Sequence, residues 1–300
     1  ELLSIKENEK DIEDRFSKDL EFGTAGLRGK LGAGTNRMNI YIISRATQGL
    51  ADFIVEQGQD YMDRGLAIAY DCRHFSKEFA KRAALVLAAN NIKVYLFESL
   101  RPTPVLSFTV GHLKTASGIV VTASHNPKEY NGYKVYWEDA AQIGQEYADA
   151  ITEKILAIKN FQDVKLMDEQ EALDKGLLTI LGKEIDDIYV EKVKKLALRD
   201  EIDKDIKVVY TPLNGTGNVL VRRVLKERGF NNITVVPEQE NPDPNFTTAP
   251  FPNPEDTRAF EYAERLGQKV DADLLLATDP DCDRLAIMVK NKDGKYIAFN

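Results

Sequence analysis

The chain has 300 residues, a length that accommodates about two domains, and its 40 basic and 48 acidic side chains give a net charge of −8. This acidic balance argues against non-specific nucleic-acid binding, and no apolar run approaches the roughly 18 residues that a membrane span needs. The two cysteines exclude a disulfide scaffold and a cysteine-based zinc site. Because no basic segment followed by an apolar one is present, we expect no signal peptide and a cytoplasmic location.

The first motif is a glycine-rich loop at residues 22–29, F-G-T-A-G-L-R-G, which is followed by Gly32 and Gly34. Backbone N–H groups and the Arg28 guanidinium of such a loop can hold a phosphate. The glycine spacing matches neither the P-loop nor the dinucleotide-binding pattern. A purely structural loop is therefore an equally good interpretation of these residues alone.

A parallel crossover unit is predicted next. Residues 66–70 form an apolar run typical of a strand, and residues 92–97 alternate as a second strand. Between them, residues 79–89 carry apolar side chains at helical spacing, after a candidate N-cap at Ser76. The order of strand, helix and strand indicates parallel pairing.

A serine loop follows the next apolar strand, in the segment T-A-S-H-N-P at residues 122–127. Ser124 could act as a nucleophile, but its neighbours lack the G-x-S-x-G pattern of hydrolases. Adjacency in sequence does not make Ser124 and His125 a catalytic dyad. On local residues alone, a serine that caps a helix or a turn is the simpler interpretation.

Asn131 and Gly132, which stand between two tyrosines, are typical of a two-residue hairpin turn. Such a turn would bring Lys134 back toward the serine loop, although a lysine on a strand is usually solvated. Asp71 and Arg73 follow the first crossover strand, and we expect them to order a loop.

The crossover pattern recurs in the second half of the chain. Strands are predicted at residues 206–210 and 233–236, with a helix at 219–228 between them. Although α/β crossovers generally resemble one another, the recurrence favours two similarly built α/β domains with mixed, mostly parallel sheets. In such open sheets, ligands bind at the carboxyl ends of the strands.

The predicted domains cover residues 1–186 and 187–300, because a polar stretch precedes an amphipathic helix near that boundary. Six of the eleven prolines fall between residues 237 and 254, so that segment is predicted to be a long loop. A loop of this length is either functional or mobile.

Three aspartates alternate directly after the apolar strand at residues 273–278, and they are Asp279, Asp281 and Asp283. Side chains two apart on an extended segment point the same way, and carboxylates ~4 Å apart repel by about 4 kcal/mol at an effective dielectric near 20. A cation relieves that repulsion, and oxygen ligands favour Mg²⁺ or Ca²⁺. An EF-hand is excluded because Arg284 and Lys290 stand where glycine and glutamate are required. A solvated acidic turn is the alternative, and Cys282 should point away from the cluster.

Taken in order, these loops resemble those of the α-D-phosphohexomutase superfamily, in particular the larger type of phosphoglucomutase. The serine loop together with the D-x-D-x-D-R loop is the most specific pair. The full set comprises residues 22–29, 32–39 (G-A-G-T-N-R-M-N), 71–73 (D-C-R), 103–104 (T-P), 122–127, 131–134 (N-G-Y-K) and 279–284.

The resemblance implies that Ser124 is a phosphoserine, which donates its phosphoryl group to a hexose monophosphate. The resulting hexose 1,6-bisphosphate then reorients and returns its other phosphate to the serine. Mg²⁺ would be held by the Ser124 phosphate and the three aspartates. Arg28 and Arg284 would stabilise phosphoryl oxygens, and His125 and Lys134 would be the acid/base candidates.

The activity implied is the interconversion of glucose 1-phosphate and glucose 6-phosphate, an isomerase reaction. Phosphomannomutase and phosphopentomutase remain open, because the residues that select the sugar are expected after residue 300. The resemblance implies four domains in family members, of which this chain would hold domains I and II and lack III and IV. We therefore expect it to bind Mg²⁺ but to turn over poorly on its own.

Two other functions stay open. One is a haloacid-dehalogenase-like phosphatase with Asp279 as nucleophile and Asp281 as general acid, which leaves the loops of Ser124 and Arg28 unexplained. The other is a sugar-phosphate-binding module without catalysis, against which the intact serine and aspartates argue. Cys282 stands where the family more often has a small residue, which suggests sensitivity to oxidation.

Overall fold

Short apolar runs form eleven strands in two sheets in the computed structural model, which describes residues 1–299. The first sheet contains β1 (Leu27–Lys30), β2 (Leu66–Tyr70), β3 (Val94–Phe97), β4 (Ser117–Val121), β5 (Tyr130–Trp137) and β6 (Leu178–Leu181). The second contains β7 (Val208–Thr211), β8 (Ile233–Val235), β9 (Leu274–Thr278), β10 (Leu285–Lys290) and β11 (Tyr296–Phe299).

Twelve α-helices lie within the described residues. Those before β7 are α1 (Leu2–Ile5), α2 (Glu9–Phe16), α3 (Ile40–Gln57), α4 (Gln59–Arg64), α5 (Ser76–Ala89), α6 (Thr103–Leu113), α7 (Gln145–Ala157), α8 (Glu169–Asp174) and α9 (Lys183–Lys194). The others are α10 (Gly217–Glu227), α11 (Pro237–Glu240) and α12 (Glu261–Val270). No helix in residues 1–299 is long and apolar enough to cross a membrane.

The first sheet has the order β1-β5-β4-β2-β3-β6, in which β4, β2, β3 and β6 are parallel and β5 and β1 are antiparallel to their neighbours. Helices cover both faces, as parallel strands require. Leu66 and Ile68 of β2 face the core with α3 and α5, while Ala67 and Ala69 face the core with α6 and α9. This alternation explains why β2 is buried along its whole length.

The second sheet has the order β11-β10-β9-β7-β8, with β8, β7 and β9 parallel and β10 and β11 antiparallel. Val209 and Leu275 pack in one apolar cluster with Ala263 of α12 and with Phe260, which directly precedes that helix. Parallel pairs thus outnumber antiparallel ones by five to four over both sheets. The predicted fold class, two α/β units with mixed sheets, is confirmed.

The two lobes, meaning the halves built on the two sheets, meet along α9 and α10. Leu220 of α10 belongs to the same apolar cluster as Ile185 and Val190 of α9. Arg223 of α10 also forms an ion pair of 2.6 Å with Asp187 of α9. The domain boundary predicted between residues 186 and 187 falls inside α9 and stays a prediction.

The proline-rich segment at residues 237–254 begins with the short helix α11 and then crosses to the first lobe. His74 Nε2 lies 3.1 Å from Asn245 Oδ1. The Arg73 guanidinium carbon lies 4.9 Å from the centre of the Phe246 ring. The long loop is therefore part of the contact between the lobes.

Three local predictions were wrong. The segment at residues 22–29 is a loop only as far as Gly26, because residues 27–29 belong to β1 and pair with β5. Ser76 is the first residue of α5 and not its N-cap, which is Phe75. Asn131 and Gly132 do not form a hairpin turn, because they lie inside β5, which is paired with β1 on one side and β4 on the other. Glycine serves here for close packing: a Cβ on Gly132 would overlap the carbonyl oxygen of Thr122.

The close strand packing at Gly132 is testable. Gly132→Ala should lower the free energy of unfolding by about 2 kcal/mol, because a buried methyl group must displace backbone atoms. Gly144→Ala is the matched control, since Gly144 has φ −78° and no atom lies within 4 Å of the position that an added Cβ would take. Urea unfolding measures both variants. Equal stabilities would contradict this account of Gly132.

Candidate active site

The serine loop and the aspartate loop both follow the carboxyl ends of strands, β4 in the first lobe and β9 in the second. This is the edge at which open α/β sheets bind ligands. The structure brings the loops into contact, because Ser124 Oγ donates a hydrogen bond of 2.8 Å to Asp279 Oδ2. The partners are 155 residues apart in the chain.

Ser124 is held in an unusual backbone conformation. Its φ is 52°, in the left-handed region that non-glycine residues rarely adopt, and only 3% of the residue is exposed. Its N–H donates to Thr122 Oγ1 at 2.8 Å. The loop thus bends sharply after β4 and aims the serine hydroxyl at the second lobe.

The aspartate loop gathers its three carboxylates into one cluster. One oxygen from each of Asp279, Asp281 and Asp283 lies within 4.8 Å of the others, and the first two residues are fully buried. Asp279 Oδ1 accepts backbone N–H bonds from Asp283 and Arg284, at 3.2 and 3.1 Å. The convergence expected from alternate positions along the chain is therefore present.

The first lobe supplies two donors to Asp281. Lys134 Nζ and Thr103 Oγ1 each donate to Asp281 Oδ2 at 2.9 Å. Lys134 Nζ also lies 3.4 Å from Asp283 Oδ2. The other oxygen of Asp281, Oδ1, is buried and has no hydrogen-bond partner within residues 1–299.

The electrostatics of the cluster indicate a shortage of positive charge. Burial, together with repulsion from Asp281 and Asp283, raises the pKa of Asp279 to about 9. Burial opposes ionisation of Asp281, but the Lys134 ammonium and the hydrogen bonds to the carboxylate together lower the pKa of that carboxyl. Lys134 thus favours the ionised form of Asp281, whereas the negative charge of an ionised Asp279 is not balanced.

These residues fit a metal ion. The possible ligand atoms are carboxylate oxygens, which hard divalent cations prefer, and Asp281, whose buried Oδ1 has no hydrogen-bond partner within residues 1–299, belongs to the cluster. A divalent cation would also supply the missing positive charge and let Asp279 ionise. The solvated acidic turn weighed from the sequence does not match two aspartates that are fully buried.

Lys134 reaches the site as the sequence suggested, but by a different route and with different partners. It lies on β5, and its ammonium contacts Asp281 and Asp283. Burial works against its charge, but the two carboxylates prevail and raise the pKa of Lys134. A lysine held protonated in this way is suited to donate hydrogen bonds and to balance charge.

Of the remaining predicted side chains, His125 contacts the serine, Arg28 contacts the serine loop, and Arg284 contacts a glutamate. His125 Nδ1 lies 3.3 Å from Ser124 Oγ, and Arg28 on β1 donates to the Asn126 side chain at 3.0 Å. Arg284 pairs with Glu255 at 3.1 Å. Burial, followed by the charges of Arg284 and Arg28, lowers the pKa of His125, so its imidazole is neutral at pH 7.

Cys282 lies between two of the aspartates but outside their cluster. Its φ is 57°, and its thiol packs near Gly217, where an added Cβ would lie 2.9 Å from the sulfur. Burial raises the pKa of the Cys282 thiol to about 12. Because the thiolate is the reactive form, the expected sensitivity to oxidation has no support in this environment.

Two residues that contribute to the site were not predicted from the sequence to do so. Thr103 appeared only as part of a motif, yet its N–H donates to the Asp281 carbonyl at 2.8 Å while its hydroxyl holds the carboxylate. Arg73 was expected only to order a loop, and it lies directly behind the serine. Thr103 and Asp281 are 178 residues apart, and no local pattern signals such a pairing.

Comparison with known proteins confirms the resemblance found in the motifs. The family profile described as phosphoglucomutase/phosphomannomutase, alpha/beta/alpha domain I, matches residues 19–162. The corresponding domain II profile matches residues 187–294. The two matches together cover most of the chain, including both loops of the site.

Curated relatives carry the same family name. A phosphoglucomutase of Staphylococcus haemolyticus (strain JCSC1435) is 38% identical over 287 residues, which is 96% of this chain and 52% of that protein. A phosphoglucomutase of Staphylococcus aureus (strain MRSA252) is 39% identical over 297 residues, with 98% and 52% covered. The chain thus spans about half the length of the curated relatives it matches.

Solved structures agree on the fold. A Thermus thermophilus protein assigned as a phosphomannomutase superposes with a TM-score of 0.75 at 25% identity, over 93% of this chain and 58% of that one. A phosphoglucomutase/phosphomannomutase family protein of Burkholderia thailandensis gives a TM-score of 0.70 at 24% identity, over 92% and 55%. The second likeness concerns the fold alone.

The contact of Thr103 with Asp281 yields a prediction. Thr103→Val should lower the free energy of unfolding by about 1–2 kcal/mol, because it removes a donor from a buried carboxylate. Thr109→Val on the same helix is the control, since that buried hydroxyl donates only to the Val105 carbonyl one turn earlier. Thermal unfolding measures both. A larger loss in the control would contradict the role given to Thr103.

Proposed function

The chain belongs to the phosphoglucomutase/phosphomannomutase family, and from that membership we propose that it carries the phosphoserine and metal site of a phosphoglucomutase. The reaction is the isomerisation of glucose 1-phosphate and glucose 6-phosphate through a hexose 1,6-bisphosphate. The observation that carries the proposal is the 2.8 Å hydrogen bond between Ser124 Oγ and Asp279, which joins the two loops. Residues 1–186 and 187–300 are proposed as domains I and II.

Ser124 is the proposed phosphoryl carrier. A sugar hydroxyl forms a new oxygen–phosphorus bond with the phosphoserine while the bond from phosphorus to Ser124 Oγ breaks. The sugar hydroxyl loses a proton in this step, and the serine oxygen gains one and becomes a hydroxyl. Transfer of the second phosphate from the bisphosphate back to Ser124 reverses these bond changes and releases the isomeric monophosphate.

His125 is the proposed proton carrier beside the serine. Its Nδ1 lies 3.3 Å from Ser124 Oγ, and its lowered pKa leaves the imidazole free to accept a proton at neutral pH. Lys134, with its pKa raised by two aspartates, is better suited to hold those carboxylates in place than to accept a proton. We therefore assign proton transfer to His125 and charge balance within the aspartate cluster to Lys134.

The aspartate cluster is the proposed Mg²⁺ site, with Asp279, Asp281, Asp283 and the phosphorylated Ser124 as ligands. When bound, Mg²⁺ would offset the negative charge of the phosphoryl group and of the carboxylates. A phosphoserine carries about −1.5 to −2 charges, and it would lie beside a carboxylate whose pKa is already raised. The cation would therefore balance the combined negative charge of the aspartate cluster and the phosphoserine.

Arg28 and Arg284 are the proposed anchors for phosphoryl oxygens. Arg28 extends from β1 to the serine loop, and Arg284 follows the aspartate loop and pairs with an exposed glutamate, Glu255. A planar guanidinium can donate two parallel hydrogen bonds to one phosphate. Each lobe thus contributes one arginine beside the reacting group.

Glucose phosphates are the proposed substrates because the curated relatives at 38% and 39% identity are named phosphoglucomutases. A mannose phosphate is the second candidate, favoured by the superposition on the Thermus thermophilus protein. The phosphatase alternative would make Asp279 the nucleophile. Its Oδ1 accepts two backbone N–H bonds and its Oδ2 accepts a bond from Ser124, so both oxygens of Asp279 are already engaged in hydrogen bonds.

Phosphorylation of Ser124 tests the central proposal. The chain is incubated with MgCl₂ and glucose 1,6-bisphosphate labelled in its phosphates, and the label is mapped by peptide mass spectrometry. The wild-type chain should gain about 80 Da, the mass of one phosphoryl group, at Ser124. Ser124→Ala should take up no label, and the control Ser107→Ala should match the wild type. Label on Asp279 would support the phosphatase instead.

Metal binding is tested separately. Asp281→Asn should weaken Mg²⁺ binding by more than about tenfold, because it removes a charged oxygen ligand and leaves Lys134 without its main partner. The control is Asp271→Asn, at a residue that is 78% exposed and pairs with Lys290. Isothermal titration with MgCl₂ measures both. Equal affinities in the two variants would exclude the cluster as the metal site.

A further inference from the structure

A buried arginine, Arg73, lies directly behind the serine loop. Its exposed fraction is 3%, and its guanidinium donates to backbone carbonyls at both ends of the loop. The acceptors are the carbonyl oxygens of Ser124 (2.5 Å), Asn126 (2.5 Å), Pro127 (2.9 Å) and Tyr130 (3.2 Å). One side chain therefore fixes the path of the chain from the end of β4 to the start of β5.

Asp71 connects this arginine to the serine. Its Oδ2 lies 3.2 Å from Arg73 Nε and accepts a 2.7 Å hydrogen bond from Thr122 Oγ1. The same Thr122 oxygen accepts the N–H of Ser124 at 2.8 Å. Asp71 Oδ1 accepts the Ser76 hydroxyl at 2.7 Å, so the carboxylate is satisfied on both oxygens.

A residue of the second lobe also contacts the Arg73 guanidinium. The ring of Phe246, which is fully buried, lies with its centre 4.9 Å from the Arg73 guanidinium carbon. A cation over an aromatic face is stabilised when both are shielded from water. Arg73 thus contacts the serine loop of the first lobe and the proline-rich loop of the second at once.

We propose that Arg73 is a positioning residue for phosphoryl transfer, which holds Ser124 in its left-handed conformation and aims the hydroxyl at Asp279 when the second lobe is seated. This inference rests on the proposed function. Left-handed backbone is unfavourable for a residue with a Cβ, and two hydrogen bonds offset that cost: Arg73 donates to the Ser124 carbonyl, and the Ser124 N–H donates to Thr122 Oγ1. Arg73 acts through the backbone of the serine loop, not on the reacting atoms.

Lysine cannot replace this side chain. The carbonyl acceptors are spread over seven residues, from Ser124 to Tyr130, and two guanidinium nitrogens each serve two of them. An ammonium group has a single nitrogen with three donors and cannot span that spread. If Arg73→Lys does not restore the rate, Arg73 is needed for the geometry of its hydrogen bonds and not only for its positive charge.

The test compares Arg73→Met and Arg73→Lys with the wild-type chain and with Arg64→Met. Arg64 is a matched control, because it donates to the carbonyls of Lys114 and Thr115 and lies over the Tyr61 ring, at the opposite end of β2. Three quantities are measured: the initial rate of Ser124 labelling by glucose 1,6-bisphosphate, Mg²⁺ affinity, and amide hydrogen exchange.

Both Arg73 variants should label Ser124 about 100-fold more slowly at saturating bisphosphate, the loss expected from a misplaced reacting group. The half-saturating bisphosphate concentration and the Mg²⁺ affinity of the unphosphorylated chain should stay at wild-type values, because Arg73 makes no hydrogen bond to the three aspartates. Faster amide exchange should be confined to residues 122–130. Phe246→Leu, a milder change, should slow labelling by about tenfold.

Several results would overturn the inference. They are a wild-type labelling rate in Arg73→Lys, unchanged exchange in the serine loop, or a loss of Mg²⁺ affinity that parallels the loss of rate. An equal effect in Arg64→Met would do the same. If the wild-type chain takes up no label, the proposed function fails, and hydrogen exchange in the serine loop still decides whether Arg73 holds Ser124.

Discussion

The hydrogen bond between Ser124 and Asp279 places a hydroxyl of one lobe against a buried carboxylate of the other. Because this carboxylate is buried, its negative charge must be balanced by neighbouring groups. Asp281 is balanced by Lys134, but Asp279 is not, and its pKa is raised accordingly. A bound cation would relieve this imbalance, and a phosphoryl group on the serine would add negative charge to the same site.

The fold satisfies this constraint by bringing the carboxyl ends of two different sheets together. β4 and β9 each end in a polar loop, and the apolar contact of α9 with α10 sets the lobes so that those loops meet. Thr103, at the start of α6, ties the first lobe directly to Asp281. Hydrophobic packing orients the two lobes, and the polar contacts fix the positions of the side chains at the site.

Both loops rely on backbone conformations that are unfavourable for residues with side chains. Ser124 and Cys282 each have φ near the left-handed minimum, at 52° and 57°. Such residues persist where the surroundings determine them from several sides. For Ser124 those surroundings are Thr122 and Arg73 in its own lobe, with Phe246 of the other lobe packed on the arginine.

Local sequence was sufficient for the strands of the two crossover units, their order, the loop motifs and the alignment of Asp279, Asp281 and Asp283, because periodicity acts over a few neighbouring residues. It failed at Gly132, whose flanking strands come from distant parts of the chain, so a pair typical of a turn lies instead inside a strand. The hydrogen-bond partners of Lys134 and Thr103 could not be predicted from local sequence either. Their bonds to Asp281 span 147 and 178 residues and exist only once hydrophobic packing has joined the two lobes.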